Sequence, residues 1–252
     1  MAFMQCSFFS ESLGTGAHVN VIVPQKYPAA KNPVYPVLYL LHGLSDDHTI
    51  WMRRTSIERY VEGMNLIVVM PGAERSFYAD MEFGYKYWTY ISEELPEIMK
   101  SFFPISDKRE DTFAAGLSMG GYGAMKLALN HPERYAAAAS LSSAVGPIDC
   151  MDLAILPESE INTIYGSKEN VKGSINDLFS LSEKVAASKG PKPALFQSCG
   201  TEDILYQANL KLRDHLRKLS FDYIYEEEHG EHNWEYWDRN IQKIIKWLPL
   251  QK

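Results

Sequence analysis

An α/β domain built on a mostly parallel sheet of about eight strands, with helices on its flanks, is the architecture this 252-residue sequence predicts. Three observations predict it. The chain opens with two strand-like segments joined by a glycine-containing turn. From residue 36 onward, short apolar runs alternate with longer segments of helical period. Several of those runs are apolar throughout rather than alternating, as strands buried on both faces require.

The elements follow in order. MQCSFFS (4–10) and AHVNVIV (17–23) read as strands, and the turn with Gly14 and Gly16 makes them an antiparallel start. PVLYLLHG (36–43) is a buried strand ending in glycine. Residues 50–62 have helical spacing and a charged face. LIVVMPG (66–72) is another buried strand, stopped by Pro71 and Gly72. YWTYISEELPEIMKSFFP (87–104) predicts a long amphipathic helix kinked at Pro96. TFAAGLS (112–118) reads as a strand and MGGYGAMKLALNHP (119–132) as a helix stopped at Asn130 and Pro132.

YAAAASLSSA (135–144) has helix-forming alanines, but its length and its place in the alternation favour a strand. Residues 145–190 are mixed and polar, with short helical patches. PALFQSCG (193–200) is a strand. LYQANLKLRDHLRKL (205–219) is a helix with Leu205, Leu212, Leu216 and Leu219 at helical spacing. FDYIYEEE (221–228) alternates like a strand, and WEYWDRNIQKIIKWL (234–248) closes the chain as an amphipathic helix. With no internal repeat and no low-complexity linker, the expected organisation is one domain over 1–252 with a small cap inserted at about 145–190.

Composition removes several function classes. Hydrophobic residues make up 46% of the chain, enough for a large core, and the formal net charge is −7. A nucleic-acid-binding domain carries a basic footprint, and none is visible. Cys6, Cys150 and Cys199 are widely spaced and form no CxxC, which argues against a disulfide scaffold or a structural zinc site. Three thiols suit a reducing compartment. The start MAFMQCSFFSESLG lacks a basic n-region, a long apolar stretch and a cleavage site, so a cytoplasmic protein is expected. Apolar runs such as LIVVM are far too short to span a bilayer.

Ligands of such sheets bind beyond the carboxyl ends of the strands, and four predicted strand ends carry suggestive residues. Gly116-Leu117-Ser118-Met119-Gly120 matches G-x-S-x-G between a strand and a helix, where a strained turn lifts a serine oxygen above the sheet. Ser118 is the candidate nucleophile, and the turn demands Gly116 and Gly120. Gly121 and Gly123 are expected to bring the helix close to the sheet. A serine hydroxyl needs a base. Of the seven histidines, only His229 and His232 follow the last predicted strand. His232, in the turn before the closing helix, is favoured; His229 abuts an acidic strand end and reads as a solvated loop residue.

The base needs an orienting acid. Asp203, after the strand ending near Cys199, is the candidate, with Glu202 pointing elsewhere; the bland alternative is that Asp203 caps the following helix. The order Ser, Asp, His is that of the α/β-hydrolase fold. An oxyanion hole needs two backbone N–H groups. Met119 follows the nucleophile and supplies one. Leu44 supplies the other from the loop after the earlier strand, with Gly43 allowing the tight turn and His42 bracing the loop.

At this point the chain resembles the esterase D-like branch of the α/β hydrolases, most closely the bacterial tributyrin esterases. The resemblance rests on PVLYLLHGLSDDHTIWMRRTSIER (36–59), NLIVVMPG (65–72), YKYWTYISEELPEIMKSFFP (85–104), TFAAGLSMGGYGAMKLAL (112–129), CGTEDILYQAN (199–209) and HNWEYW (232–237). It implies a carboxylesterase for short-chain acyl esters, with its triad on Ser118, Asp203 and His232 and no metal or cofactor. It also implies that Phe77-Tyr78-Ala79-Asp80 borders the site and that Trp51 and Trp234 line the acyl or alcohol pocket. Ordinary core packing is the alternative for each of these side chains. The partner is then a small-molecule ester, and homo-oligomerisation is left open. S-formylglutathione hydrolase, feruloyl and acetyl-xylan esterase activities are the neighbouring options, and a silent hydrolase-fold binding protein is the non-enzyme one. A cap of fewer than about 50 residues suggests a narrow pocket.

Overall fold

A computed structural model describes residues 1–25 and 33–250. Eight strands form one sheet in the order β1-β2-β4-β3-β5-β6-β7-β8. They are β1 (Ala2–Ser10), β2 (Thr15–Val23), β3 (Val37–Leu41), β4 (Ile67–Pro71), β5 (Thr112–Leu117), β6 (Ala137–Leu141), β7 (Ala194–Gly200) and β8 (Tyr223–Glu228). β1 pairs antiparallel with β2, and β2 antiparallel with β4. Every pairing from β4 through β8 is parallel. The continuous apolar runs are the interior strands. β3, β4, β5 and β6 are buried almost throughout, whereas edge strand β8 is half exposed.

Successive side chains of β3 feed opposite faces of the sheet. Val37, Tyr39 and Leu41 join one core cluster, and Leu38 and Leu40 the other. The first cluster is covered by α5 (Met119–Asn130), α8 (Leu178–Ala187) and α9 (Tyr206–Leu216). The second is covered by α1 (Ile50–Arg54), α2 (Ile57–Tyr60) and α10 (Trp234–Trp247). Among the described residues, no helix is long and apolar enough to cross a membrane.

Two expected helices differ in detail. Residues 50–62 form α1 and α2 rather than one helix. Between them Thr55 is extended, and its hydroxyl donates to the Trp51 carbonyl at 2.6 Å while accepting from the Ile57 N–H at 3.1 Å. Local threonine bonds of this kind compete with the helical ladder.

The expected kink in 87–104 is a change of pitch. α3 (Tyr87–Thr89) passes through a π-helical turn, Tyr90–Glu94, into α4 (Leu95–Phe102). Pro96 has no N–H to give the Ser92 carbonyl four residues earlier. Arg134 supplies that carbonyl with a donor at 3.0 Å.

Residues 145–190 form a cap-like helical insertion containing α6 (Pro147–Asp152), α7 (Glu158–Tyr165) and α8. α5 holds it down. The Tyr122 hydroxyl donates to the Asn176 carbonyl at 2.8 Å, Asn130 donates to the Ile175 carbonyl at 3.1 Å, and Lys126 donates to Asn176 Oδ1. Lys126 is wholly buried, with its ammonium over the Trp88 ring and a second bond to the Tyr78 carbonyl at 2.7 Å. Burial pulls that ammonium down to about 7, opposed by Asp80. Nothing in the helical pattern of 119–132 announced a buried lysine.

Candidate active site

Strand register brings four loops together. Leu41 lies opposite Gly116, Leu117 opposite Leu141, and Gly200 opposite Glu228. The segments that leave these strand ends carry residues 42–44, Ser118, Asp203 and His232.

Ser118 has φ +51° and ψ −118°, a backbone that side-chain-bearing residues rarely adopt. Its own backbone bonds fix it there. Its N–H donates to the Leu141 carbonyl at 2.8 Å, and its carbonyl accepts from Tyr122 at 3.0 Å and Ala144 at 3.1 Å. The turn needs the glycines beside it. A Cβ on Gly116 would strike the Gly120 carbonyl, and one on Gly120 would strike the Leu41 and His42 carbonyls. Gly121 faces Leu141 and Ser140 on the sheet, as expected. Gly123 does not: the Tyr78 ring, not the sheet, occupies the space its Cβ would take.

His232 Nε2 is 3.0 Å from Ser118 Oγ, and its Nδ1 is 3.0 and 2.9 Å from the two oxygens of buried Asp203. A carboxylate only accepts, so Nδ1 carries the proton and Nε2 offers its lone pair to the serine O–H. Asp203 also receives the Leu205 N–H at 2.7 Å, so it orders the turn into α9 as well as facing His232. The two readings of Asp203 are therefore compatible. Glu202 does point elsewhere. It accepts from the Gly230 N–H at 2.7 Å and pairs with His229 at 3.0 Å, and these bonds, Gly230 first, hold its carboxyl down near about 2. His229 itself is exposed and turned from the serine's cavity.

Three successive carbonyls where β3 ends, those of Leu41, His42 and Gly43, are occupied. Trp51 Nε1 donates to Leu41 at 3.0 Å, the Tyr78 hydroxyl to His42 at 2.9 Å, and His42 Nδ1 to Gly43 at 2.7 Å. With the carbonyls so held, the Leu44 N–H is left without an acceptor among the described residues, as is the Met119 N–H at the start of α5. This corrects the expectation for Trp51 and Tyr78. Both are fully buried behind the loop and do not line the cavity. Trp234 does not line it either; its ring packs edge-on between Trp51 and Trp237, at 5.2 Å from each.

His42 is buried, and its Nε2 accepts from the Ala73 N–H at 2.8 Å. Burial lowers its imidazole from the ordinary 6.5 to about 4, with the Gly43 bond opposing. An unfolded chain therefore binds a proton in this window that the folded chain refuses. Stability is full above about 6.5 and falls as pH drops toward about 4, by on the order of 3 kcal/mol. Urea midpoints between pH 7.5 and 4.5 should show this loss, and His42→Gln should flatten it.

The cavity at Ser118 has a volume of about 210 Å³. Leu44, Phe77, Ala144, Cys150, Ile155 and Trp237 give it apolar walls; Gly43, Asp46 and His232 also border it. Phe77 and Gly43 both stand on this wall. Phe77 and Tyr78 both have positive φ, a strained pair pinned by Ser76 and Lys126. Trp237 was missed. Its ring meets the His232 ring edge-on at 4.9 Å, and its Nε1 donates to Ser142 Oγ at 3.1 Å. HNWEYW contains it, one helical turn beyond Trp234, so helical period was the available signal. Among the described residues, no cluster of three or more potential metal ligands occurs.

The family described as putative esterase matches residues 10–248. An acetyl esterase of Caldicellulosiruptor saccharolyticus is 32% identical over 98% of each chain. The structure of FphF, a fluorophosphonate-binding serine hydrolase of Staphylococcus aureus, is 36% identical with a TM-score of 0.92 over 99% of each chain. The S-formylglutathione hydrolase FrmB of Staphylococcus aureus is 37% identical with a TM-score of 0.88 over 98% of each chain. The fold, the serine turn and these relatives together make the chain a serine hydrolase that acts on ester bonds, and it belongs to the putative esterase family of α/β hydrolases.

Proposed function

We propose that this enzyme is a carboxylesterase for short-chain acyl esters of acetyl to butyryl size, tributyrin among them. The observation that carries the reading is the Ser118–His232–Asp203 chain opening onto a small apolar cavity. At about 210 Å³ the cavity is below the roughly 300–1,000 Å³ of pockets that enclose drug-sized ligands. A short acyl chain against Phe77, Ile155 and Trp237 suits it.

Ser118 Oγ attacks the ester carbonyl as His232 Nε2 takes its proton, with Asp203 holding the imidazolium. The Leu44 and Met119 N–H groups receive the developing oxyanion. His232 then protonates the leaving alcohol. Water, deprotonated by His232, cleaves the acyl-serine, and the proton returns to Ser118. Gly43 is the bare backbone that lets the oxyanion loop lie against Leu117. No step calls for a metal or cofactor. Three free thiols, two of them buried, suit a cytoplasmic setting.

A thioesterase of the S-formylglutathione hydrolase kind is the second reading, favoured by the likeness to FrmB. The test is a panel of 4-nitrophenyl acetate, butyrate and octanoate, tributyrin, S-formylglutathione and methyl ferulate. Highest kcat/KM on acetate and butyrate supports the proposal; a preference for S-formylglutathione by more than about tenfold overturns it. Within the panel, Asp203→Asn should lower kcat by about 10⁴-fold, because the wrong imidazole tautomer then faces the serine. His229→Ala should keep most of the activity.

A further inference from the structure

Asp46 is the one charged side chain on the wall of the serine's cavity whose carboxylate has no partner among the described residues. Its neighbour Asp47 is different: it accepts from the N–H and the hydroxyl of Thr49 and so holds the entry to α1. Asp46 makes one backbone contact, its N–H to the Gly43 carbonyl at 3.2 Å, which folds the loop so that the carboxylate turns inward. The position follows from Gly43. A Cβ built there would lie 3.4 Å from Asp46 Oδ2 and 3.6 Å from Ser118 Cβ. Asp46 Oδ2 and Ser118 Cβ therefore lie no farther apart than those two distances combined, and both residues border the cavity. No lysine or arginine lines the cavity.

A negative charge at this place opposes a developing oxyanion, since charges interact strongly where water is scarce. Arg53 and Arg54 offset it only in part, which leaves charge for the substrate to answer. Burial, with Asp47 adding to it, pushes the Asp46 carboxyl up to about 6, so it is largely ionised at neutral pH.

Resting on the ester-hydrolysis reading above, we infer that Asp46 is a specificity residue. It selects esters whose alcohol part presents a hydroxyl or a positive charge close to the scissile carbonyl, and it rejects those carrying a carboxylate there. The substrate class is then a short-chain acyl ester of a polyol, sugar or amino alcohol. Glutathione, with its two carboxylates, is a poor match.

The test uses acetyl thioesters that share the acyl group and differ only in the thiol part. They are S-acetyl-3-mercaptopropionate (anionic), S-ethyl thioacetate (neutral, no donor), S-acetyl-2-mercaptoethanol (hydroxyl) and acetylthiocholine (cationic), with released thiol as the readout. In the wild type, kcat/KM on the hydroxyl and cationic members should exceed that on the anionic one by at least about tenfold, a difference in transition-state binding. Asp46→Asn should shrink the cationic-to-anionic ratio by about tenfold. Asp47→Asn, a neighbouring charge outside the cavity, should leave the ratio as it was. Asp46→Ser is read in the same way should Asp46→Asn not fold.

A wild type that hydrolyses the anionic and cationic members equally overturns the inference. So does a ratio that Asp46→Asn leaves alone, or one that Asp47→Asn alters equally. No turnover on any member, nor on 4-nitrophenyl acetate, would defeat the esterase reading and this inference with it. Turnover without charge discrimination defeats the inference alone.

Discussion

Ser118→Ala should lower kcat on 4-nitrophenyl butyrate by about 10⁴-fold or more, with KM within a few-fold of wild type. The substitution removes one oxygen. The Cβ stays, and the bonds that set the turn come from the backbone: Ser118 N–H to Leu141, and Tyr122 and Ala144 to the Ser118 carbonyl. The variant should therefore melt close to the wild type, which separates lost chemistry from lost fold. It should also lose covalent labelling by a fluorophosphonate. The activity that survives comes from the oxyanion donors and from substrate binding. His232→Ala should cost about as much, and the double variant little more, because the two act as a unit. Near-wild-type turnover of Ser118→Ala after active-site titration would remove the serine from the mechanism.

Gly120→Ala should damage both stability and activity. The added Cβ meets two carbonyls, those of Leu41 and His42. Neither can swing away easily, because Leu41 is held by the Trp51 indole and His42 by the Tyr78 hydroxyl. The start of α5 must withdraw from β3, carrying the Met119 N–H and the serine with it. Overpacking of this kind costs about 3 kcal/mol. A shift near 1 Å at the reacting groups costs about 10²-fold in rate. Urea midpoints and kcat/KM, measured together, check it. Gly16→Ala is the control: nothing lies within 4 Å of a Cβ there, so it should change neither. A Gly120→Ala enzyme with wild-type stability would mean that the turn tolerates what its packing forbids.

The sheet was legible because its strands carry a direct signature. A run such as VLYLL can be buried on both faces only inside a covered sheet, and the alternation with helical segments gave the parallel order. The meeting of Ser118, Asp203 and His232 was legible for a related reason: each follows a strand end, and parallel strands put those ends on one side. What the residues could not disclose was direction. Trp51 and Tyr78 stand near the loop after β3 in the chain or in space, but sequence does not say which side of a loop a ring approaches. They hold its carbonyls from behind, while Trp237 takes the wall beside His232. Lys126 was hidden for the same reason, since a lysine in an apolar helix usually marks the solvent side. The break at Thr55 and the π-helical turn before Pro96 coincide with local hydrogen bonds, which hydrophobic period does not record.

The three edge-on indoles, Trp51 to Trp234 to Trp237, end against the His232 ring. At 5.2 Å spacing they can exchange excitation energy, so light absorbed by any of the three is shared with Trp237. A protonated imidazole in contact with an indole quenches its fluorescence, and a neutral one does so much less. The protein thus carries its own optical readout of the base. Emission should dim in a stopped-flow trace while His232 holds the proton it takes from Ser118, with no label attached.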